Sequence, residues 1–332
     1  MAKIHEKSPC CKGRMVRFGG RRRQCANCKK TWSAWPRKRG RHRLRTQSSL
    51  LDKYFDGAFA SIQKEADRRG IHESVLRRRM RFLAQRLCNK GIWPSPTFGS
   101  TILLADAIVK RLDGCWWTIY LTSVKSVAES FATLLPPIVS HTRESHKGWQ
   151  DALNGISDEI YRNIAVIVCD GHRGIVDYAR GTGRRIQRCQ AHLLFALQGR
   201  RSLSRWSRHR KEGERIYQLA KDIMTTTDKV AIKNLIDELE TLGWQTRSTQ
   251  LRKIINGFLG SVNDYRTCLE PEYLAIPATN NAMESFIGLF QELCHKARGF
   301  SSPEALKLWA TAFAKHKNRI TCNGINQQNK CR

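Results

Sequence analysis

A multidomain α/β protein is predicted by three features of the 332 residues. Two strand-length apolar runs, Thr101 to Val109 and Ile164 to Val168, contain or run towards an aspartate. Around them lie stretches with the three-to-four-residue apolar spacing of helices. Ahead of them stand cysteine-rich and arginine-rich segments of a different composition. At roughly 150 residues per domain, the length allows two or three folded units with cores that need no disulfides.

Lysine and arginine number 59 against 28 aspartates and glutamates, a net charge of +31, while 41% of the residues are apolar. The apolar share excludes a wholly disordered polycation, and the charge predicts an anionic partner. No apolar run nears the ~20 residues of a membrane-spanning helix, so no membrane partner is expected. The start, Met1-Ala2-Lys3-Ile4-His5-Glu6-Lys7, has no apolar signal stretch. A reducing cytoplasm, with the protein associated with the nucleoid, is therefore the expected location, and there the twelve cysteines favour metal over disulfides.

Most of the charge lies early: residues 1–98 hold 26 basic and 6 acidic side chains. Between Lys12 and Arg45 there are fourteen basic residues and no acidic one. They include Arg21, Arg22 and Arg23, then Arg37, Lys38, Arg39, Arg41 and Arg43, a pattern suited to a phosphate backbone. Trp32 and Trp35 interleave with the charge and cysteines bracket it, so folded structure is predicted as far as Trp35, followed by a basic linker over residues 36–47.

Cys25-Ala26-Asn27-Cys28 is a C-x-x-C pair, a spacing at which one turn aims two thiolates at a tetrahedral zinc ion. The other knuckle is irregular, with adjacent Cys10 and Cys11 after Ser8-Pro9. Cys11, Cys25 and Cys28 are expected ligands, and the fourth is Cys10 or a histidine such as His5. This predicts a zinc ribbon over residues 5–35, a segment too short for any other core.

Residues 48–92 carry three helical patterns: Leu50, Leu51, Tyr54 and Phe55; Ile62 and Ala66; and Leu76, Met80, Leu83 and Leu87. Gly70-Ile71-His72 separates the second from the third. The third displays Arg77, Arg78, Arg79 and Arg81 around its apolar stripe, as the recognition helix of a helix-turn-helix does. An ordinary three-helix connector with a solvated basic face has the same pattern. Pro94-Ser95-Pro96 marks the boundary that follows.

A carboxylate inside a buried strand is costly unless a metal or hydrogen bonds compensate it, which singles out Asp106. Asp113 competes, but Asp113-Gly114 reads as a hairpin turn before a second strand, Trp116 to Leu121. A third β-prone stretch near Phe131 to Val139 and a helix over about 144–161 precede the next strand, which leads into Cys169-Asp170-Gly171. Ligand-binding groups gather at the carboxyl ends of α/β strands, so Asp170 meets Asp106 if their strands are neighbours; taken alone, Asp-Gly is also a plain turn.

This order of elements is that of a ribonuclease-H-like sheet, whose third acid comes from a later helix. Thr279-Asn280-Asn281-Ala282-Met283-Glu284 supplies one. Asn280 is expected to cap a helix with the apolar face Met283, Ile287, Phe290 and Cys294, and Glu284 lies one position off that face. Asp106, Asp170 and Glu284 would then hold two magnesium (or manganese) ions for in-line phosphodiester displacement, with double-stranded DNA the substrate that the basic chain predicts.

Ile102-Leu103-Leu104-Ala105-Asp106, Cys169-Asp170-Gly171-His172-Arg173-Gly174-Ile175, Arg188-Cys189-Gln190-Ala191-His192 and Thr279 to Glu284 occur in that order behind the amino-terminal modules. Together they resemble the motifs of Mutator-like DDE transposases of bacterial insertion sequences. The C-x-x-H and T-N-N-x-x-E motifs are the specific ones, and the resemblance covers about residues 8–318. It implies a catalytic triad at Asp106, Asp170 and Glu284, divalent metal, hydrolysis at element ends and transesterification into target DNA. It sets Cys189 and a catalytic His192 near the active site, with His192 against the scissile strand or a metal-bound carboxylate. A buried helix start with a satisfied histidine is the alternative for that pair. The Ser8-Pro9-Cys10-Cys11 knuckle departs from the family pattern.

The catalytic core is thus expected in two parts, residues 99–199 and 277–319, around an all-helical insertion over 200–276. The insertion's apolar steps are Ile216, Leu219, Ala220 and Ile223; Ile232, Leu235, Ile236 and Leu239; and Leu251, Ile255, Phe258 and Val262. The resemblance implies that it binds DNA or pairs protomers, in a homodimer or higher oligomer on the terminal inverted repeats and target DNA. Lys296, Arg298, Lys315, Lys317 and Arg319 form a basic flank that is either phosphate-binding or solvated. Residues 320–332 read as a disordered tail. An active transposase is the leading expectation; a non-catalytic DNA-binding repressor or domesticated relative, and a structure-specific nuclease, are the competing ones.

Overall fold

The computed structural model describes residues 10–17, 22–33, 50–90, 93, 100–127, 131–198, 210–273, 275–297, 299–300 and 302–328. The chain divides into two compact units, Met1–Leu50 and Leu51–Arg332. In the first, strands β1 (Met15–Arg17), β2 (Arg22–Cys25) and β3 (Thr31–Ser33) form an antiparallel sheet in that order. Cys10 and Cys11 precede β1, Cys25 ends β2 and Cys28 lies in the turn towards β3. Pairing of Met15 with Cys25 brings both cysteine knuckles to one end of the sheet. His5, Arg21, the linker over 36–47 with Arg37, Lys38, Arg39, Arg41 and Arg43, and Trp35 lie outside the described residues. Arg22 and Arg23 are on β2, with Arg23 in register with Trp32.

Three helices follow: α1 over residues 50–55, which starts at the unit boundary, α2 (Ile62–Arg68) and α3 (Glu73–Asn89). Ser61 Oγ accepts the Lys64 N–H at the start of α2, and His72 Nδ1 accepts the Ser74 N–H at the start of α3. Between them Gly70 takes φ +60°, the left-handed conformation that glycine adopts without strain. Ala66, Leu76, Met80 and Ala84 are fully buried.

A mixed sheet follows. Strands β4 (Thr101–Leu112) and β5 (Cys115–Ser126) form a long antiparallel hairpin. Its two-residue turn has Asp113 at φ +48° and Gly114 at φ +81°, the left-handed pair that matches strand twist. The stretch expected as one strand near Phe131 to Val139 is two short ones, β6 (Thr133–Leu134) and β7 (Ile138–Ser140), both paired with β5. Pro136 and Pro137 separate them, because neither can donate to a ladder. The helix expected over 144–161 is likewise two, α4 (His146–Asn154) and α5 (Asp158–Arg162), broken at Gly155.

Strand β8 (Ile164–Cys169) pairs in parallel with β4, and after α6 (Arg173–Gly181) strand β9 (Arg185–Arg188) pairs in parallel with β8. The sheet order is β6-β5-β4-β8-β9, with β7 alongside β5. Leu103, Ala105, Tyr120, Trp149, Ile167 and Ile175 fill the core between this sheet and α4 and α6.

Helix α7 (Gln190–Gln198) leads to α8 (Arg210–Thr225), α9 (Lys229–Gln245), α10 (Thr249–Leu259) and α11 (Val262–Arg266). They share a core that includes Leu193 and Leu197 of α7 with Leu219, Leu239, Leu251 and Phe258. This helical segment is tied back to the sheet: Thr267 Oγ1 donates to Ile186 O at 2.6 Å and Gln187 Nε2 to Tyr265 O at 3.1 Å.

The chain ends with α12 (Asn281–Lys296) and α13 (Pro303–Gln328). The residues that α12 buries are Met283, Phe286, Phe290, Leu293 and Cys294, while Ile287 is only half-buried. The tail expected to be irregular from residue 320 instead continues α13 to Gln328. A helix already nucleated by buried turns adds polar residues at little cost.

Helices α1 and α3, expected as part of a domain of their own, pack on α12 and α13. Tyr54 Oη donates to Leu293 O at 2.9 Å, Arg77 Nη1 to Ala297 O at 3.1 Å and Lys315 Nζ to Cys88 O at 2.7 Å. The Phe55 ring lies against those of Trp309 and Phe313. These contacts revise two expectations. Arg77, also bonded to Glu73, is committed to packing, whereas Arg78, Arg79 and Arg81 are exposed. Lys296, Lys315 and Arg319, read as a flank that is either phosphate-binding or solvated, are engaged with Gly57 O, Cys88 O and Asp52. Helical spacing alone does not reveal that another helix offers carbonyls to these cations. Arg298 lies outside the described residues.

Candidate active site

Parallel pairing of β4 with β8 sets Leu104 opposite Val168, so Asp106 and Asp170 each follow two residues past one registered pair. The sequence places an acid on each strand; the strand order makes them neighbours. Asp106 is only 8% exposed, and its Oδ1 accepts the Ala107 N–H at 2.8 Å. Asp170 leaves the end of β8 and its Oδ1 accepts the His172 N–H at 2.8 Å. The intervening Gly171 has φ +89°, and a Cβ there would lie 2.0 Å from Arg188 Nε, so only glycine lets that arginine cross the turn.

Glu284 arrives in the first turn of α12. Asn280 precedes that helix, but its side chain does not cap it as expected. Its Nδ2 instead donates to Ala105 O at 3.0 Å and approaches Asp106 Oδ2 at 3.4 Å, while its backbone N–H donates to Cys189 Sγ at 3.2 Å. Its carbonyl accepts the N–H groups of Met283 and Glu284. One fully buried asparagine thus joins the strand of Asp106 to the helix of Glu284. From the other side, Cys189 Sγ lies 3.4 Å and His192 Nδ1 3.2 Å from Glu284 Oε1. These are the cysteine and histidine of the C-x-x-H motif.

One group of the site escaped the sequence reading, and a second, Arg188, entered it only as part of a motif with no role. Glu144, half-buried before α4, accepts the Trp149 indole N–H at 2.8 Å and lies 3.2 Å from His172 Nδ1. Its only sequence signal is an acid directly before a helix-capping serine, with a tryptophan five residues on. Arg188 donates to Ser261 Oγ at 2.6 Å and its guanidinium lies over the Tyr265 ring at 4.8 Å.

Burial above all, and then the Asp170 charge, push Asp106 up to about 7. Burial also pushes Glu144 up to about 7, with Asp170 adding to it against the opposing Trp149 hydrogen bond. His192 is raised to about 9, foremost by its hydrogen bond with Cys189, with Asp106 and Glu284 adding, so it is a cation at neutral pH. Burial and a neighbouring acid thus leave the Asp106 carboxyl short of compensating positive charge.

Magnesium and manganese take oxygen donors, and the three acids supply them. Asn280 Oδ1 is a further oxygen, buried with no hydrogen-bond partner in the site. These residues fit a hard divalent cation. The set that lies within ligand distance of one another is Cys189, His192 and Glu284, but the thiol is the wrong donor for magnesium; it serves to hold Glu284 and Asn280 in place. In the amino-terminal unit the Sγ atoms of Cys10, Cys11, Cys25 and Cys28 all lie within 4.8 Å of one another, the donor set of a tetrahedral zinc site with Cys10 as the fourth member.

Two expected outcomes follow from this geometry. Between the ordinary aspartate value near 4 and about 7, the folded chain keeps a proton on Asp106 that the unfolded chain has released, so ionisation costs stability as pH rises through that window. Without divalent metal, Asp106→Asn should therefore gain on the wild type by roughly 3 kcal/mol from pH 4 to pH 7 in urea denaturation. Parallel curves would exclude the shift. Asn280→Ala should lower stability by about 1–3 kcal/mol in thermal melts by leaving its buried partners unpaired. The near-isosteric Asn280→Asp should cost more at neutral pH, because it sets a further acid beside Asp106; equal stability of Asn280→Asp and wild type would show that the contact with Asp106 is not made.

Residues 136–286, which span β7, Asp170, the C-x-x-H pair and Glu284, match the family model described as Transposase, Mutator family. That segment is a Mutator-family transposase domain. Among solved structures, the Drosophila P element transposase strand transfer complex is similar over 85% of this chain and 80% of that chain, at 11% identity and a TM-score of 0.27. No curated protein matches the chain. The matched segment begins after Asp106, which joins the site through β4 and the Asn280 contact.

Proposed function

We propose that this protein is a DDE-type transposase that cuts and joins DNA at the ends of its own insertion sequence. The observation that carries the reading is the Asn280 junction, which ties Asp106 to the helix of Glu284 while β8 sets Asp170 beside Asp106. In this reading the sheet with its parallel β4-β8-β9 edge is a ribonuclease-H-like core, and Asp106, Asp170 and Glu284 hold two magnesium or manganese ions. When bound, the ions supply a Lewis acid for the leaving oxygen and activation of a water or a 3′-hydroxyl. The chain's own residues do the positioning. Asn280 fixes the Asp106 carboxylate, Cys189 holds Glu284, and His192, as a cation 3.2 Å from Glu284, meets the scissile strand.

The amino-terminal unit, with zinc on Cys10, Cys11, Cys25 and Cys28, and α3 through Arg78, Arg79 and Arg81, would supply end recognition. Protomers would pair on the two ends. The test is cleavage and strand joining on labelled DNA bearing the element's ends, with magnesium or manganese. Nicking followed by joining supports the reading. Nicking without joining makes the protein a nuclease, and binding without cutting makes it a repressor.

A further inference from the structure

The β4–β5 hairpin reaches beyond the rest of its sheet. Pairing with β8 ends at Leu104 and pairing with β7 ends at Thr118, so Lys110 to Trp117 have no third strand beside them among the described residues. At ~3.4 Å per residue, Arg111 stands about 17 Å along β4 from Asp106. A strand this long buys no core: Val109 and Trp116 are both 39% exposed.

Cation and ring are interleaved at the tip. The Arg143 guanidinium lies 4.3 Å and that of Arg111 5.8 Å from the Trp116 ring centroid. Next to it, Trp117 and His141 stack with centroids 4.3 Å apart and planes within 19°. Lys110, Arg111, His141 and Arg143 gather here with Asp113 in the turn, while Glu144, the other acid next in sequence, is taken up by Trp149 and His172. None of these residues belongs to the metal-binding set or to the amino-terminal modules.

We propose that this hairpin tip is a second DNA-binding surface, which takes an unpaired nucleotide of the strand leading to the catalytic acids. The proposal rests on the transposase reading and adds where, and in what state, the DNA is held. The argument is one of matching chemistry. A base presents its π-face to an indole only when its pair is open, because inside a duplex both faces are stacked. A base placed on Trp116 exchanges a cation–π contact for a stacking contact and frees Arg143 or Arg111 for the adjoining phosphate. The distance of about 17 Å corresponds to about five stacked nucleotides, so the opened base belongs near the cut.

The test uses the full chain and two fluorescein-labelled DNAs in polarisation titrations: a blunt duplex, and the same duplex ending in about five unpaired thymidines, since stacking tolerates any base. Wild type should prefer the tailed DNA. Trp116→Ala should lose about tenfold in affinity for the tailed DNA and little for the blunt one, and Trp116→Phe should recover most of the loss. Melting curves check that the exposed substitution leaves the fold intact. If Trp116→Ala binds the tailed DNA as wild type does, the hairpin proposal fails while the transposase reading stands. Equal losses on both DNAs with an unchanged melt would make the tip a duplex contact and overturn the unpaired-base assignment. Failure of the wild type to bind either DNA would overturn the transposase reading and this proposal with it.

Discussion

Asp106→Asn, Asp170→Asn and Glu284→Gln are each expected to lower cleavage and joining by at least ~10³-fold while leaving affinity for element ends within about twofold of wild type. Each change removes one negative oxygen donor and keeps the side chain's shape. Asp106→Asn also relieves the mutual repulsion with Asp170, so this variant should be at least as stable as wild type without metal, which separates a lost catalyst from a lost fold. Manganese titrations followed by electron paramagnetic resonance give a second readout: free manganese should persist to higher protein concentration in all three variants. A variant that still cuts would remove its residue from the triad. The C-x-x-H pair offers a contrast, because His192→Ala should slow cutting yet leave manganese affinity largely intact.

The second large effect concerns the amino-terminal unit. One zinc ion per chain is expected in the purified protein by atomic emission, and Cys25→Ser should lose it. Cys25 is fully buried at the end of β2 and, among the described residues, is the one apolar side chain that the three-stranded sheet buries, so a bound zinc ion would supply most of the folding free energy, roughly 10 kcal/mol or more for structural zinc. Amide exchange over residues 10–33 should become fast in Cys25→Ser or on chelation, while residues 101–126 stay protected. Binding to element ends should fall with it. Full protection of the amino-terminal strands after chelation would exclude zinc as their organiser.

What could be read along the chain was whatever short-range chemistry controls. The Asp113-Gly114 turn, the three helices broken at Gly70, the strand carrying Asp106 and the strand leading into Asp170 each depend on residues within one or two turns of themselves. Local preference also misled where a distant partner outbid it. Asn280 reads as a helix cap, but its amide meets Ala105 and Asp106, which lie far away in sequence. Arg77 and Lys315 read as free cations, but carbonyls on other helices take them.

The tertiary structure alone decided which acids meet. Parallel pairing of β4 with β8 is a long-range event, and it set Asp106 beside Asp170. Packing of α12 on β4, through one buried asparagine, brought Glu284, Cys189 and His192 to the same end of the sheet. Glu144 shows the limit most clearly: its one local signal, an acid before a capping serine, says nothing of a site, and its proximity to His172 exists only because α4 packs against α6. Sequence determined the elements and the chemical groups they carry, because turns, caps and apolar spacing act over a few residues. Their convergence into one electrostatic site was left to strand register and helix packing, in which contacts form between residues that share no local pattern.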